Sequence, residues 1–293
     1  MKKVILMMMA AVLMCGCEKA ILPEDGVVEE KEGKELVDTK KFTFTIKGDF
    51  EISTEEMRGY LQADGQDMTD LWVFDYVGDE CVQSLHQTAT DEDWGQPTMH
   101  LTYGTHHVYF VASRGVTPTV DEVNNTIVWG SVRDTFWKDY EVTVLSTSNG
   151  NRAVTMDRVI TKMRMLVTDQ VPATAATISM TPVQWYMGLN YRTGAPVGSV
   201  ENHVFTVSIP AALVGTSGQL AYSIFGFSTD AEWTTDVHVA VNSSSAVLGE
   251  AAVDDVPLKA NRVTNFSGSL FSLGSRMDVS LNSTWADAYN DTW

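Results

Sequence analysis

Alternation of apolar and polar residues with a period of two runs through most of this chain. Residues 41–52 read KFTFTIKGDFEI, placing Phe42, Phe44 and Ile46 on one face and Thr43, Thr45 and Lys47 on the other. That is the pattern of a half-buried strand. Residues 71–77 (LWVFDYV) and 81–87 (CVQSLHQ) flank Gly78-Asp79, and the three pieces together predict a β-hairpin. Strand-like runs follow at 98–103, 105–114, 125–130, 140–146 and 152–169. Beyond Pro172 they recur at 176–182, 184–191, 203–210, 219–227, 236–242, 262–272 and 276–283. Short connections rich in Gly, Asn, Asp, Ser and Thr separate them. Such spacing predicts an all-β chain of packed sandwiches.

Helix is scarce. Residues 53–61 and 134–140 have room for a turn or two, without the sustained 3.6-residue period of a packed helix. The run 152–169 is long for one strand. Its natural reading is a passage from one sandwich into the next near Val159, which divides the body into domains 41–158 and 159–293.

The first forty residues follow another rule. Lys2 and Lys3 precede an apolar stretch from Val4 to Met14, too short for a span that needs roughly 20 apolar residues. It ends in Cys15-Gly16-Cys17, similar to a lipobox, with Gly16 as the small residue before the cut and Cys17 as the lipidated cysteine. An ordinary cleaved signal is the plainer alternative. The expectation is a lipoprotein signal peptide over 1–16, acylation (palmitate among the chains) on Cys17, and a location at the outer membrane. Residues 17–40 are charged and lack aromatics, and are expected to act as a flexible acidic tether.

Charge and cysteine narrow the function. The net charge of −18 argues against nucleic acid and against anionic headgroups as partners. Once Cys15 and Cys17 are accounted for, Cys81 has no disulfide partner, so an exported domain here must rest on its core alone.

Chemical signatures are weak. His86, His100, His106 and His107 lie close in sequence, but His106 and His107 point to opposite faces of a strand, and ordinary strand histidine is the plainer reading. Asp64, Asp67 and Asp70, and Asp91, Glu92 and Asp93, read as solvated turns rather than calcium loops. There is no Gly-x-Ser-x-Gly elbow and no Gly-rich phosphate loop. No enzyme, metal or cofactor is expected. Of the eight tryptophans, Trp94 and Trp233 sit in polar contexts and are the candidates for exposed ligand aromatics, while Trp72 and Trp129 read as core.

Four segments, 68–87, 91–115, 157–172 and 258–271, taken in order, resemble the fimbrillin-type subunits of type V pili, and more narrowly their lipoprotein anchor or accessory branch. The resemblance runs from about Phe42 to the end and rests on the order of loose strand and turn patterns. It implies two tandem transthyretin-like (Greek-key) β-sandwiches, export as a lipoprotein, and a place in a fimbrium through β-strand complementation with other fimbrial subunits. In polymerising members a protease cuts after an arginine downstream of the lipid and removes the first strand; anchor members keep it. The first arginine after Cys17 here is Arg58, a candidate maturation site whose plainer reading is a surface arginine. Cutting there would release the strand bearing Phe42, Phe44, Ile46 and Phe50. The aromatics Tyr289 and Trp293 in the tail 286–293 are candidates for docking into a neighbour's groove.

Three functions remain open at this point: a fimbrial anchor or accessory subunit, a surface lipoprotein that binds host or environmental glycans outside any pilus, and, least supported, a lipid-anchored hydrolase.

Overall fold

A computed structural model describes residues 38–48, 62–63, 66–115, 117–272 and 276–281. The expected alternation becomes strands almost throughout. In the N-terminal half these are β1 (Thr39–Gly48), β2 (Gln62–Ala63), β3 (Gln66–Asp67), β4 (Asp70–Val77), β5 (Glu80–Thr88), β6 (Thr98–Thr102), β7 (Gly104–Ser113), β8 (Thr119–Asp121), β9 (Thr126–Val128), β10 (Thr135–Val144) and β11 (Asn151–Arg158). The C-terminal half contributes β12 (Ile160–Val167), β13 (Thr177–Pro182), β14 (Gln184–Asn190), β15 (Pro196–Glu201), β16 (Phe205–Ser208), β17 (Leu220–Phe227), β18 (Trp233–Asn242), β19 (Val247–Leu258), β20 (Val263–Ser269) and β21 (Arg276–Leu281). Among the described residues the one helical piece is a 3₁₀ turn, Ala211–Leu213. The helical turn expected at 134–140 is strand instead. Phe136 points into the core while Lys138 and Tyr140 are half-buried, so pairing with β7 decides the local form over weak propensity.

The N-terminal strands run in the order β5-β4-β7-β10-β11-β1-β6. Between β10 and β11 only Phe136↔Arg158 and Trp137↔Asp157 pair. There the sheet turns over, so that β11-β1-β6 faces β5-β4-β7-β10 across a core of Phe42, Phe44, Val73, Phe110, Phe136 and Met156. The C-terminal sandwich has sheets β17-β12-β20-β21 and β16-β13-β18-β19.

Strand for strand, the two sandwiches share one plan. β1 lies between antiparallel β6 and parallel β11, just as β12 lies between antiparallel β17 and parallel β20. The facing sheets, β5-β4-β7-β10 and β16-β13-β18-β19, correspond in the same chain order. Among the described residues, the second sandwich alone adds a further strand, β21, beside its last one. The chain passes from β11 into β12 through Val159 alone.

A third sheet crosses the junction. The β8-β9 hairpin leaves the first sandwich and pairs through β9 with β14, giving the order β15-β14-β9-β8. It covers the outer face of β4 and β7, where Trp72, Phe74, Tyr76 and Tyr109 join the core of the second sandwich rather than that of the first. Gly188 makes this pairing close: a Cβ there would fall 2.6 Å from the Ile127 carbonyl oxygen.

Candidate functional site

The feature with the clearest interaction chemistry is the seat of β1. Its residues Thr39–Thr43 pair with β6, and the edge continues as the Phe44 N–H donates to the Pro97 carbonyl and the Ile46 N–H to the Gly95 carbonyl, both at 3.0 Å. Along the other edge Thr43–Gly48 runs parallel to Asn151–Met156, and the Thr43 N–H donates to the Gly150 carbonyl at 2.6 Å. Phe42, Phe44 and Ile46 are fully buried. The Phe44 ring meets Phe110 edge-on at 5.2 Å and Tyr140 at 6.0 Å, and the Arg152 guanidinium lies 5.1 Å from the Phe42 ring. Burial of Phe42, Phe44 and Ile46 stabilises the seat by about 1.5–3 kcal/mol for each side chain. Main-chain pairing on both edges, with alternate side chains in the core, is the geometry by which an extended segment is recognised.

Gly150 shapes the entrance. A Cβ there would collide with the Lys41 carbonyl oxygen, so no residue larger than glycine lets the β10-β11 turn approach β1 this closely. Lys40 ties the same end down by donating from Nζ to the Ser146 and Ser148 carbonyls.

A buried polar pair lies inside the same end of the sandwich. His106 Nδ1 sits 2.8 Å from Asp75 Oδ1, and Nε2 lies 3.0 Å from the Thr102 carbonyl. A carbonyl only accepts, so Nε2 carries a hydrogen, and one further proton is shared between Nδ1 and the carboxyl. Burial raises the Asp75 pKa above the usual carboxylate range, and the hydrogen bond and charge interaction with His106 partly offset this.

Several other sequence candidates among the described residues have structural roles. His86 stacks on Trp72, 4.7 Å between centroids, and bonds Asp70 at 2.9 Å; His107 bonds Asp139 at 3.0 Å. Asp91 accepts from the Thr88 N–H and closes its own turn. Among the described residues no three His, Cys, Asp or Glu side chains converge as a metal site, and Cys81 forms no disulfide. Trp94 and Trp233 are not the open platforms that their polar contexts suggest. Trp94 packs half-buried against the first core, while Trp233 packs edge-on to Tyr186 at 5.5 Å and donates to Ser228 Oγ at 2.9 Å. Polar neighbours in sequence mark the turn, and the ring folds back beneath it. Cys17, Phe50, Arg58 and the tail 286–293 lie outside the described residues.

Sequence comparison adds a family. A family model described as a family of unknown function, DUF6562, matches residues 114–293. The chain belongs to that family. The DUF6562 match begins just before the β8-β9 hairpin and takes in β10, β11 and the whole second sandwich. No curated protein matches the chain.

Among solved structures, this DUF6562 member is similar to a candidate adhesin of Bacteroides thetaiotaomicron, with 10% identity over 84% of this chain and 98% of that one and a TM-score of 0.52. A candidate adhesin of Bacteroides ovatus gives 11%, 78%, 88% and 0.51. The tip fimbrial protein Mfa3 of Porphyromonas gingivalis, at 11% identity over 83% of this chain and 99% of that one, is a fainter likeness with a TM-score of 0.45. At such identities the two likenesses above one half speak to the fold alone: an all-β chain of sandwiches.

Proposed function

We propose that this protein is a surface lipoprotein acting as a fimbrial anchor or accessory subunit in cell adhesion, without catalysis, held to the outer membrane through Cys17 and joined to neighbouring subunits by β-strand complementation. The observation that carries this reading is the position of β1. It is the first strand of the described chain, yet it lies in the middle of its sheet, paired on both edges and buried through Phe42, Phe44 and Ile46. A first strand so placed is the one element of the sandwich that a cut in the connection behind it would leave without a covalent tie to the body. Its counterpart β12 is continuous with β11 and has no such freedom.

With β1 kept, the first sandwich is complete and the subunit caps or anchors. With β1 lost, the open edges of β6 and β11 would accept a strand from a neighbour. The net charge of −18 fits an exported surface and disfavours nucleic acid.

The test is the intact mass of the native protein from the cell envelope and from sheared surface filaments. A triacylated chain beginning at Cys17, found with filaments, is the expected anchor. A chain beginning at Gly59 would make it a polymerising subunit cut after Arg58. Absence from filaments, together with normal filaments in a deletion strain, would overturn the fimbrial reading.

A further inference from the structure

The junction of the two sandwiches holds a cleft of about 560 Å³ that the strand-exchange reading does not use. Its walls come from the β10-β11 join, the β14-β15 turn, the β17-β18 connection and the β19-β20 turn. Pockets for small ligands span roughly 300–1,000 Å³ and favour domain interfaces.

Its chemistry is specific. Trp137 lines it half-buried, with the indole fixed by donation from Nε1 to the Tyr191 carbonyl at 2.7 Å. Gly194, in the left-handed region at φ +70°, lies against the six-membered ring, where a Cβ would come within 2.9 Å. Around this ring stand groups with hydrogen-bonding capacity to spare. Ser228, 2% exposed, accepts from Trp233 through Oγ and keeps its own hydroxyl hydrogen. Asn261 Oδ1 accepts from Arg158 at 3.2 Å, which leaves the Nδ2 donors. Asp230 is exposed and forms no hydrogen bond or ion pair with the described residues. Asp157 also lines the cleft, partnered by Lys138 at 2.9 Å.

The charge pattern selects the ligand class. The guanidinium at the cleft, Arg158, is committed to Asp134 and Asn261, so the site has little to offer a phosphate or carboxylate. An aromatic ring beside hydroxyl, amide and carboxylate groups matches a ligand with one apolar face and a rim of hydroxyls. We infer that the cleft between the two sandwiches, centred on Trp137 and Asp230, binds a neutral saccharide.

The test uses the full-length chain purified in detergent, with maltotriose, cellotriose and N-acetyllactosamine as neutral probes and sialyllactose and putrescine as charged ones, titrated by saturation-transfer-difference NMR. At least one neutral probe should bind saturably. Asp230→Ala, at an exposed position, should weaken that binding about tenfold while leaving thermal unfolding unchanged, the loss of one charge-assisted hydrogen bond. Trp137→Phe should weaken it as well, with a smaller ring to stack on. Failure of every neutral probe to saturate, binding of putrescine alone, or neutral binding untouched by Asp230→Ala would each overturn the assignment.

Discussion

Phe74 and Tyr191 stack face to face across the junction of the two sandwiches, 3.9 Å between ring centroids and 8° between planes. Phe74 belongs to β4 of the first sandwich, and Tyr191 follows β14 of the third sheet, in the C-terminal half. The Tyr191 hydroxyl lies 3.1 Å from that of Tyr76 and 3.3 Å from Asn125 Oδ1, and burial pushes its pKa well above the ordinary tyrosine value. With the Arg192–Asp79 ion pair at 2.9 Å, these contacts hold the halves together.

Tyr191→Ala should therefore lower stability by about 3–5 kcal/mol, the range for loss of a large buried aromatic, and separate one calorimetric unfolding transition into two. Tyr191→Phe keeps the stack and should cost about 1 kcal/mol, because Tyr76 and Asn125 retain their own 2.5 Å hydrogen bond. Two transitions already present in the unsubstituted chain would refute the latch.

At the entrance to the β1 seat, Gly150→Ala forces the β10-β11 turn away from Lys41. The expected result is a loss of about 1–3 kcal/mol, with faster amide exchange concentrated in residues 42–47. Exchange that rises equally in β12 would show a general loss of stability instead. Alanine at Gly130, where a Cβ meets nothing within 4 Å and φ, as at Gly150, lies outside the left-handed region, provides the control for adding a methyl group without the collision.

The Asp75–His106 pair predicts a pH dependence of definite sign. A carboxyl raised by burial binds more protons in the folded chain than in the unfolded one above its unfolded pKa of about 4. Its contribution is thus complete below that pH and is lost as pH rises through the folded value. Asp75→Asn keeps the shape, donates to Nδ1 and should flatten this part of the stability profile. Equal slopes for both proteins in urea titrations across pH would dismiss the pair as the origin.

Arg158 and Asp134, each 6% exposed at the side chain, form a two-pronged ion pair at 2.7 and 3.0 Å. Removing one partner leaves a buried charge, so Asp134→Ala should destabilise the protein by about 3–5 kcal/mol. The double variant Asp134→Leu, Arg158→Met should recover most of that loss in chemical denaturation. No recovery would mean that the pair acts chiefly through its bond to Asn261.

Much of the all-β plan was legible because burial and alternation coincide. Phe42, Phe44 and Ile46 face inward as their spacing requires, and Gly78-Asp79 turns the β4-β5 hairpin. The third sheet was not legible. Val120 and Ile127 look like any hairpin pair, and nothing local says that the other neighbour of Ile127 is Leu189, more than sixty residues on. Trp72, Phe74 and Tyr76 alternate with Leu71, Val73 and Asp75, all six buried. That continuous run shows that both faces of β4 are covered, without saying by what. The cleft at the junction escaped the sequence for a related reason: Trp137 sits in a run readable as a short helical turn, and Gly194, Ser228 and Asp230, which line the cleft with it, arrive from distant turns.

The parallel course of β1 and β11 has a mechanical meaning. A load applied between residue 39 and the second sandwich enters β1 at its beginning and leaves β11 at its end, through Val159. The two strands are then drawn past each other along their length, so the bonds linking Thr43–Gly48 to Asn151–Met156 carry force together in shear rather than opening one after another. Whatever pulls on the beginning of this chain meets the sandwich along its strongest axis.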